Sequence, residues 1–389
     1  MAVNDLTFNQ LATVLTDITK LATGQDVQTP VDSSSFVSVA QTALKTGYDP
    51  LLNAVSQVLS RTIFSVRPYT RKFGRIEVSS ARWGNHIRKL QALDMPFEED
   101  DRLKLVDGQS IDQYIVAKPP VLQTNYYGEN VWQKHLTIWK DQTDVAFSSA
   151  DELGRFISMI LSNASDQIEQ AKESVERATV ANLIGGTIAL NQTESVVHLV
   201  TEYNNYAGTS LTSATVLQPE NFAPFVRWMF GFLGNLIDLM SERTLLYHLS
   251  PTGKTLMRHT PKDRLKVFFN SGIANQMDTS AFSVTFHEEY LKKVDYTKVT
   301  FWQDVKNPMT INADCGYVNA TGTPQHSVVN EDLIFGVLFD EDACMMNTIN
   351  QWQANSPFNS RGGYTNMFWH FTTRYLNSNF ENCVVLLLD

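Results

Sequence analysis

From Ser149 to Asn182, apolar or small residues return every three or four positions: Leu153, Ile157, Ile160, Ala164, Ile168, Ala171, Val175 and Ala178. That period belongs to an α-helix, and no proline interrupts it. Ser149 with Glu152 three positions later has the form of a capping box. Gly185-Gly186 predicts the end, so a helix is expected over residues 149–184. At 1.5 Å per residue such a helix would be roughly 50 Å long. Its stripe narrows to alanine at several turns, so something packs close against it. A sheet is the expected partner, because the small residues would make a weak coiled-coil seam.

The sheet to cover lies late in the chain. Leu333 to Phe339 and Cys383 to Leu388 are unbroken apolar runs, the pattern of strands buried on both faces. Between them Trp352, Phe368, Trp369, His370 and Phe371 suggest an aromatic core. Residues 187–332 read as a mixed unit. A helix opens at Pro219 and runs to about Glu242, and strands are expected at Val196–Val200, Phe282–Phe286 and Val299–Trp302. Residues 303–332 read as loops. Phe222–Met240 is apolar enough to resemble a membrane span, but it carries Pro224, Arg227 and Asp238, which fits a buried domain helix better.

The front of the chain is different. Residues 1–66 hold short amphipathic stripes: Leu11, Val14, Leu15, Ile18 and Leu21, then Phe36 to Leu44, then Leu51 to Leu59 opened by Asp49-Pro50. Each is too short to be stable alone, so each needs a surface from this chain or a neighbouring one. Residues 67–147 read as extended, with strands expected at Arg75–Val78 and Val131–Trp139. Charge is segregated within them. Arg67, Arg71, Lys72, Arg75, Arg82, Arg88 and Lys89 are followed by the acidic block Glu98, Glu99, Asp100 and Asp101. Two solvated faces of one loop would explain this. So would complementary patches that meet between copies and set their register.

The formal net charge is −10, and the first 66 residues carry only three basic side chains, Lys20, Lys45 and Arg61. An arm that condenses nucleic acid needs many more. Cys315, Cys344 and Cys383 are widely spaced and read as three reduced core thiols. No nucleotide-binding, hydrolase or zinc-protease motif occurs, so catalytic, cofactor and metal sites are all expected to be absent. Asp340-Glu341-Asp342 reads as a solvated turn, His259 as a surface histidine and His370 as a core one. Arg243, Lys254, Arg258, Lys262, Arg264 and Lys266 fit phosphate contacts and subunit contacts equally well.

The order of parts resembles the major capsid proteins of tailed phages, the α+β Hong Kong 97-type fold. The segment Asn359-Ser360-Arg361-Gly362-Gly363-Tyr364, the aromatics with His370, and Asn379-Phe380-Glu381-Asn382 before the last apolar run are similar to the ends of small podophage head proteins. The resemblance implies an N-terminal arm (1–66), an extended loop (67–147), a peripheral domain (148–190 with 333–389) built on the spine helix, and an axial domain (191–332). It implies a structural, non-enzymatic virion protein that is assembled in the host cytoplasm and forms pentamers and hexamers. The head would be icosahedral or prolate and would enclose double-stranded DNA held by weak, non-specific contacts, with no membrane. Portal and separate scaffolding partners follow, because the arm is too short to be a fused scaffold. An encapsulin-like cargo shell and an oligomeric enzyme are the alternative readings. Arm and extended loop would lie across neighbours. The intersubunit contacts would come from the charged residues Arg67 through Lys89 and Glu98 through Asp101.

Overall fold

The computed structural model describes residues 7–47, 50, 51, 53–55, 58, 71–78, 86–95, 97–127, 129–190, 194–284 and 295–389, and side chains there except at 86, 157–165 and 280–284. In chain order the helices are α1 (Phe8–Thr23), α2 (Ser33–Lys45), α3 (Lys140–Ala146), α4 (Ala150–Leu190), α5 (Leu199–Ala207), α6 (Pro219–Ser241) and α7 (Ser271–Val284). A one-turn helix, Ser213–Val216, precedes α6. The strands are β1 (Glu77–Val78), β2 (His86–Ala92), β3 (Val121–Tyr127), β4 (Asn130–Trp139), β5 (Val196–His198), β6 (Leu265–Asn270), β7 (Thr297–Val299), β8 (Ile311–Val318), β9 (Pro324–Glu331), β10 (Ile334–Asp340), β11 (Cys344–Asn355), β12 (Tyr364–Asn377) and β13 (Cys383–Leu387). The chain forms two compact units, one of residues 1–71, 129–174 and 348–374, the other of 72–128, 175–347 and 375–389. The helix α4 contributes to both.

In the first unit β4 pairs antiparallel with β12, setting Leu136 opposite Met367 and Ile138 opposite Thr365. The front of the chain packs on the same unit. Leu11, Leu15 and Ile18 of α1, Phe36 and Ala40 of α2, and Leu51, Val55 and Val58 share one core with Ile138, Phe147, Leu153, Phe156 and Met367. Of the two surfaces expected for the stripes, this chain or a neighbouring one, these residues use their own chain, which is how helices too short to stand alone become stable. Local signals set their ends. Gln10 Oε1 accepts the Thr7 N–H at 2.9 Å, and Gly24 closes α1 at φ 71°. Asp32 caps α2 by accepting the Ser35 N–H at 2.7 Å. Residues 50, 51, 53–55 and 58 are helical as expected, while the proposed cap Asp49 lies outside the described residues.

The second unit is a five-stranded sheet in the order β5-β13-β10-β6-β7, covered on both faces. On one face Val384 and Leu386 of β13, Phe335 and Leu338 of β10, and Val267 and Phe269 of β6 meet Phe225, Met229, Leu233 and Leu236 of α6. On the other, Val385, Leu387, Val337, Phe339 and Phe268 meet Val180, Leu183 and Ile184 of α4. Neighbouring residues of one strand thus point into different cores, which is why the sequence shows apolar runs rather than alternation. The long helix does cover the late sheet, and the apolar segment from Phe222 is a domain helix. Among the described residues no helix is long and apolar enough to cross a membrane.

Several local expectations change. Gly185-Gly186 does not end α4, which runs on to Leu190. Residues 303–332 are not loops but contain the hairpin β8–β9, whose polar edge residues hid its strand pattern. The segment proposed as strand from Phe282 belongs, up to Val284, to helix α7, and Thr285 and Phe286 lie outside the described residues. Arg75 and Ile76 form a 3₁₀ turn, leaving only Glu77–Val78 extended. The chain turns helical at Leu199, inside the strand expected there, and again at Lys140.

Candidate functional site

The feature of the fold that asks for an external partner is the hairpin β2–β3. Its register pairs Ile87 with Tyr126, Lys89 with Thr124 and Gln91 with Leu122. Those six residues form the half-buried face, and Arg88, Leu90, Gln123, Asn125 and Tyr127 form the exposed one. Period-two alternation gives the hairpin one wet face and one seated face.

Its root is clamped within the second unit. Leu93 is buried with Leu249, Leu256 and Phe380. Asp94 accepts the Met257 N–H at 2.8 Å through one carboxylate oxygen and pairs with Arg243 through the other. Lys89 Nζ lies 2.6 Å from Glu381 Oε1 and 3.7 Å from Asp342 Oδ2. Gln91 Nε2 donates to the same Glu381 oxygen at 2.5 Å, and Arg258 stands 3.3 Å from it. Glu381 is thereby buried without being unpaired, the condition a buried carboxylate must meet. Burial pushes the Tyr126 phenol above its usual range, and the Glu381 and Asp342 charges add to the effect.

The same network accounts for the acidic triplet. Asp340 is buried and accepts the Thr260 hydroxyl at 2.8 Å. Glu341 pairs with Lys266 at 3.4 Å and Asp342 with Arg264 at 2.8 Å. The triplet is therefore not simply a solvated turn, because strand β10 carries its last residue inside the sheet. No group of acids, histidines and cysteines that could hold a metal occurs among the described residues. The basic run Arg258 to Lys266 is matched by acids of its own chain, and Lys262 pairs with Asp238 at 2.5 Å. His259 is exposed. His370 is half-buried and stacks on the half-exposed Trp352 at 3.8 Å between ring centres, on a sheet surface rather than in the core.

Beyond Asp94 the hairpin runs free. Phe97, Leu103, Leu105, Val106, Tyr114, Ile115 and Val116 are all exposed, Leu103 at 82 %. So many large apolar side chains exposed in one segment are unusual on a protein surface and mark a candidate contact surface. Sequence reading missed it, because Leu103-Lys104-Leu105-Val106 and Tyr114-Ile115-Val116 have neither helical nor strand spacing.

The structure scatters the charged residues expected to make intersubunit contacts. Arg67 and Arg82 lie outside the described residues. Arg71 pairs with Glu169, Arg75 lies 3.1 Å from Asp295, and Lys89 is turned into the clamp. Asp100 is held by Arg102 at 2.5 Å and Asp101 by Lys104 at 3.6 Å, local pairs across a 3₁₀ turn. Arg102 beside it holds the Asp100 carboxyl below the usual carboxylate range. Lys72 is half-buried, and Arg88, Glu98 and Glu99 are exposed. No ion pair is found for these four among the described residues.

This architecture, a long helix under a mixed sheet with a clamped hairpin, is shared with known capsid proteins. The Phi29-like phage major capsid protein model matches residues 24–387. The chain belongs to that family, whose members are structural proteins of the virion. Its fold is similar to a chain in the capsid structure of Staphylococcus phage Andhra, at 11% identity and TM-score 0.52, covering 84% of this chain and 87% of that one. It is also similar to a chain in the structure of head fiber and inner core protein gp22 of bacteriophage P68, at 11% identity and TM-score 0.53, with 84% and 87% covered. No curated protein matches the sequence. The fold is the Hong Kong 97-type α+β capsid fold.

Proposed function

We propose that this chain assembles into the pentamers and hexamers of an icosahedral or prolate phage head that encloses double-stranded DNA. Residues 1–66 act as the arm, 67–147 as the extended loop, 148–190 with 333–389 as the peripheral domain and 191–332 as the axial domain. One observation carries the reading. A hairpin whose root is fixed by Leu93, Asp94 and Lys89 presents an apolar tip, Phe97 to Val116, to solvent. In a family of shell subunits the natural cover for such a tip is another copy. The charged residues that remain exposed, Arg88, Glu98 and Glu99, then set register between copies, and Asp100 and Asp101 shape the turn between them.

Portal and separate scaffolding partners complete the assembly, which takes place in the host cytoplasm. Contact with DNA is weak and non-specific. The net charge of −10 supports this, as does the pairing of Arg258, Lys262, Arg264 and Lys266 with acids of the same chain. Negative-stain electron microscopy and sedimentation of the expressed chain, with and without its scaffolding protein, test the reading. Closed shells are expected. A stable monomer under both conditions would overturn it, and tight duplex binding at about 0.15 M salt would overturn the DNA part.

A further inference from the structure

His248 is buried in the second unit, on the segment that leads from α6 to β6, and each of its ring nitrogens faces oxygen. Nδ1 lies 2.8 Å from the Leu246 carbonyl oxygen and 3.0 Å from Asn382 Oδ1, and Nε2 lies 2.6 Å from the Leu256 carbonyl oxygen. A backbone carbonyl can only accept, and a neutral imidazole has a single N–H to donate. Turning the ring over gives no relief, because these separations are too short for a C–H group against oxygen. The Asn382 amide cannot turn either. The one hydroxyl proton of Thr260 goes to Asp340 Oδ2 at 2.8 Å, so Thr260 can only accept from Asn382, whose Nδ2 is 3.1 Å away. Asp340 Oδ1 accepts the Asp342 N–H at 2.9 Å.

We propose that His248 is held as a doubly protonated imidazolium, and that its second proton latches residues 244–258, the seat of the hairpin root. Donors and acceptors then run in one direction, from His248 through Asn382 and Thr260 to the Asp340 carboxylate. All four residues are more than nine-tenths buried, so the charge at one end is answered by the charge at the other through two neutral groups. The other charged groups on the surrounding elements are committed or exposed. Glu381, next to Asn382, holds Lys89 and Arg258, and Arg243 is paired with Asp94. Glu242, Lys254 and His259 are exposed, and burial pushes the Tyr247 phenol up, so it stays neutral. The backbone beside the ring is strained, with Tyr247 in the left-handed region at φ 69°. Such a residue keeps its conformation only while its surroundings hold it. Here the holds are the His248 bonds and the Cys383 N–H, which the Tyr247 carbonyl accepts at 2.8 Å. Leu249 and Leu256 of this segment bury Leu93, and the Met257 N–H is the one that Asp94 accepts. Removing the second proton would set a bare ring nitrogen against a carbonyl oxygen. The latched form binds the extra proton, so the latch is present at lower pH and lost as pH rises.

Solid-state nitrogen NMR of the full chain, with isotope-labelled histidine, tests the protonation state whether or not the chain has assembled. The signals that vanish in His248→Gln are those of His248. At neutral pH both of its ring nitrogens should show the shift of a protonated imidazolium nitrogen. One nitrogen at the unprotonated shift would overturn the proposal. Amide exchange read by mass spectrometry, corrected for the intrinsic effect of pH, tests the latch. In the wild type, protection over residues 244–258 and 86–94 should be lost as the pH is raised from mildly acidic to alkaline. His248→Gln can donate from one end only, so it should lack this protection at every pH and show no further loss. Protection that does not change with pH in the wild type, or that changes equally in His248→Gln, would overturn the latch. Should His248→Gln not fold, the wild-type exchange profile decides alone.

Discussion

Gly185 and Cys315 approach so closely that a Cβ placed on the glycine would lie 2.3 Å from the cysteine Sγ and 3.1 Å from its Cβ. This contact is how α4 accepts the hairpin β8–β9 against its last turns. Asn182 completes it, donating to the Gly316 carbonyl at 2.9 Å and accepting the Gly316 N–H at 2.8 Å. The glycine that looked like a helix stop is a point of close approach inside a helix.

Gly185→Ala should therefore destabilise the subunit despite the better helix propensity of alanine. Overpacking costs about 1–3 kcal/mol, against a propensity gain of at most ~1 kcal/mol. Gly231 in α6 gives the contrast, since a Cβ there meets nothing within 4 Å. Gly231→Ala should stabilise by about 0.5–1 kcal/mol. Chemical denaturation of the two variants should shift in opposite directions.

The clamp of the hairpin should be asymmetric. Glu381→Gln leaves Lys89 and Arg258 facing a neutral amide in a covered site, at a cost near the ~3–5 kcal/mol of a broken buried pair. Lys89→Met leaves Glu381 with Arg258 and Gln91, and should cost less, about 1–3 kcal/mol. In both variants amide exchange should rise first over residues 86–94. Equal costs, or protection unchanged there, would count against the clamp.

Acid should loosen α2. Asp32 accepts the Ser35 N–H and hydroxyl, each at 2.7 Å, and these bonds lower its pKa from 3.8 to about 2. The folded value lies below the unfolded one. Its contribution is thus present above about pH 4 and lost as pH falls through about 2. Asp32→Asn, which keeps an acceptor, should flatten this part of the pH–stability curve. Asp32→Ala should lower the unfolding midpoint at neutral pH as well. Thermal unfolding from acid to neutral pH checks both.

The three cysteines should be silent in the folded subunit. All are buried, and burial pushes the Cys383 thiol up to about 12 and the Cys344 thiol higher still. Since the thiolate is the reactive form, alkylation should be negligible in native protein and complete in denaturant. Labelling followed by mass spectrometry would show it, and fast native labelling of Cys344 or Cys383 would contradict the packing.

Much of the fold was legible in the sequence wherever a segment's pattern reflects its own surroundings. The helix α4 shows a stripe because residues such as Leu153 and Phe156 near its start, and Val180, Leu183 and Ile184 near its end, are buried in cores. Ile334–Asp340 and Cys383–Leu387 read as apolar runs because both faces of the sheet are covered. The candidate contact surface was only partly legible. The segregated charges of residues 67–101 drew attention to the hairpin segment, but Arg71 and Lys89 are held within the chain. The exposed residues that matter most, Phe97 and Leu103 to Val116, follow no period because nothing in their own chain imposes one.

The sequence alone determined where capped helices start, since a cap such as Asp32 with Ser35, or Ser149 with Glu152, needs only neighbours three residues away. Only the tertiary structure decided which charges are spent and which remain. Gln91 and Glu381 are 290 residues apart, and nothing near either names the other. Their meeting depends on which strands become neighbours, and that is fixed by burying apolar faces over the whole chain rather than by any local preference.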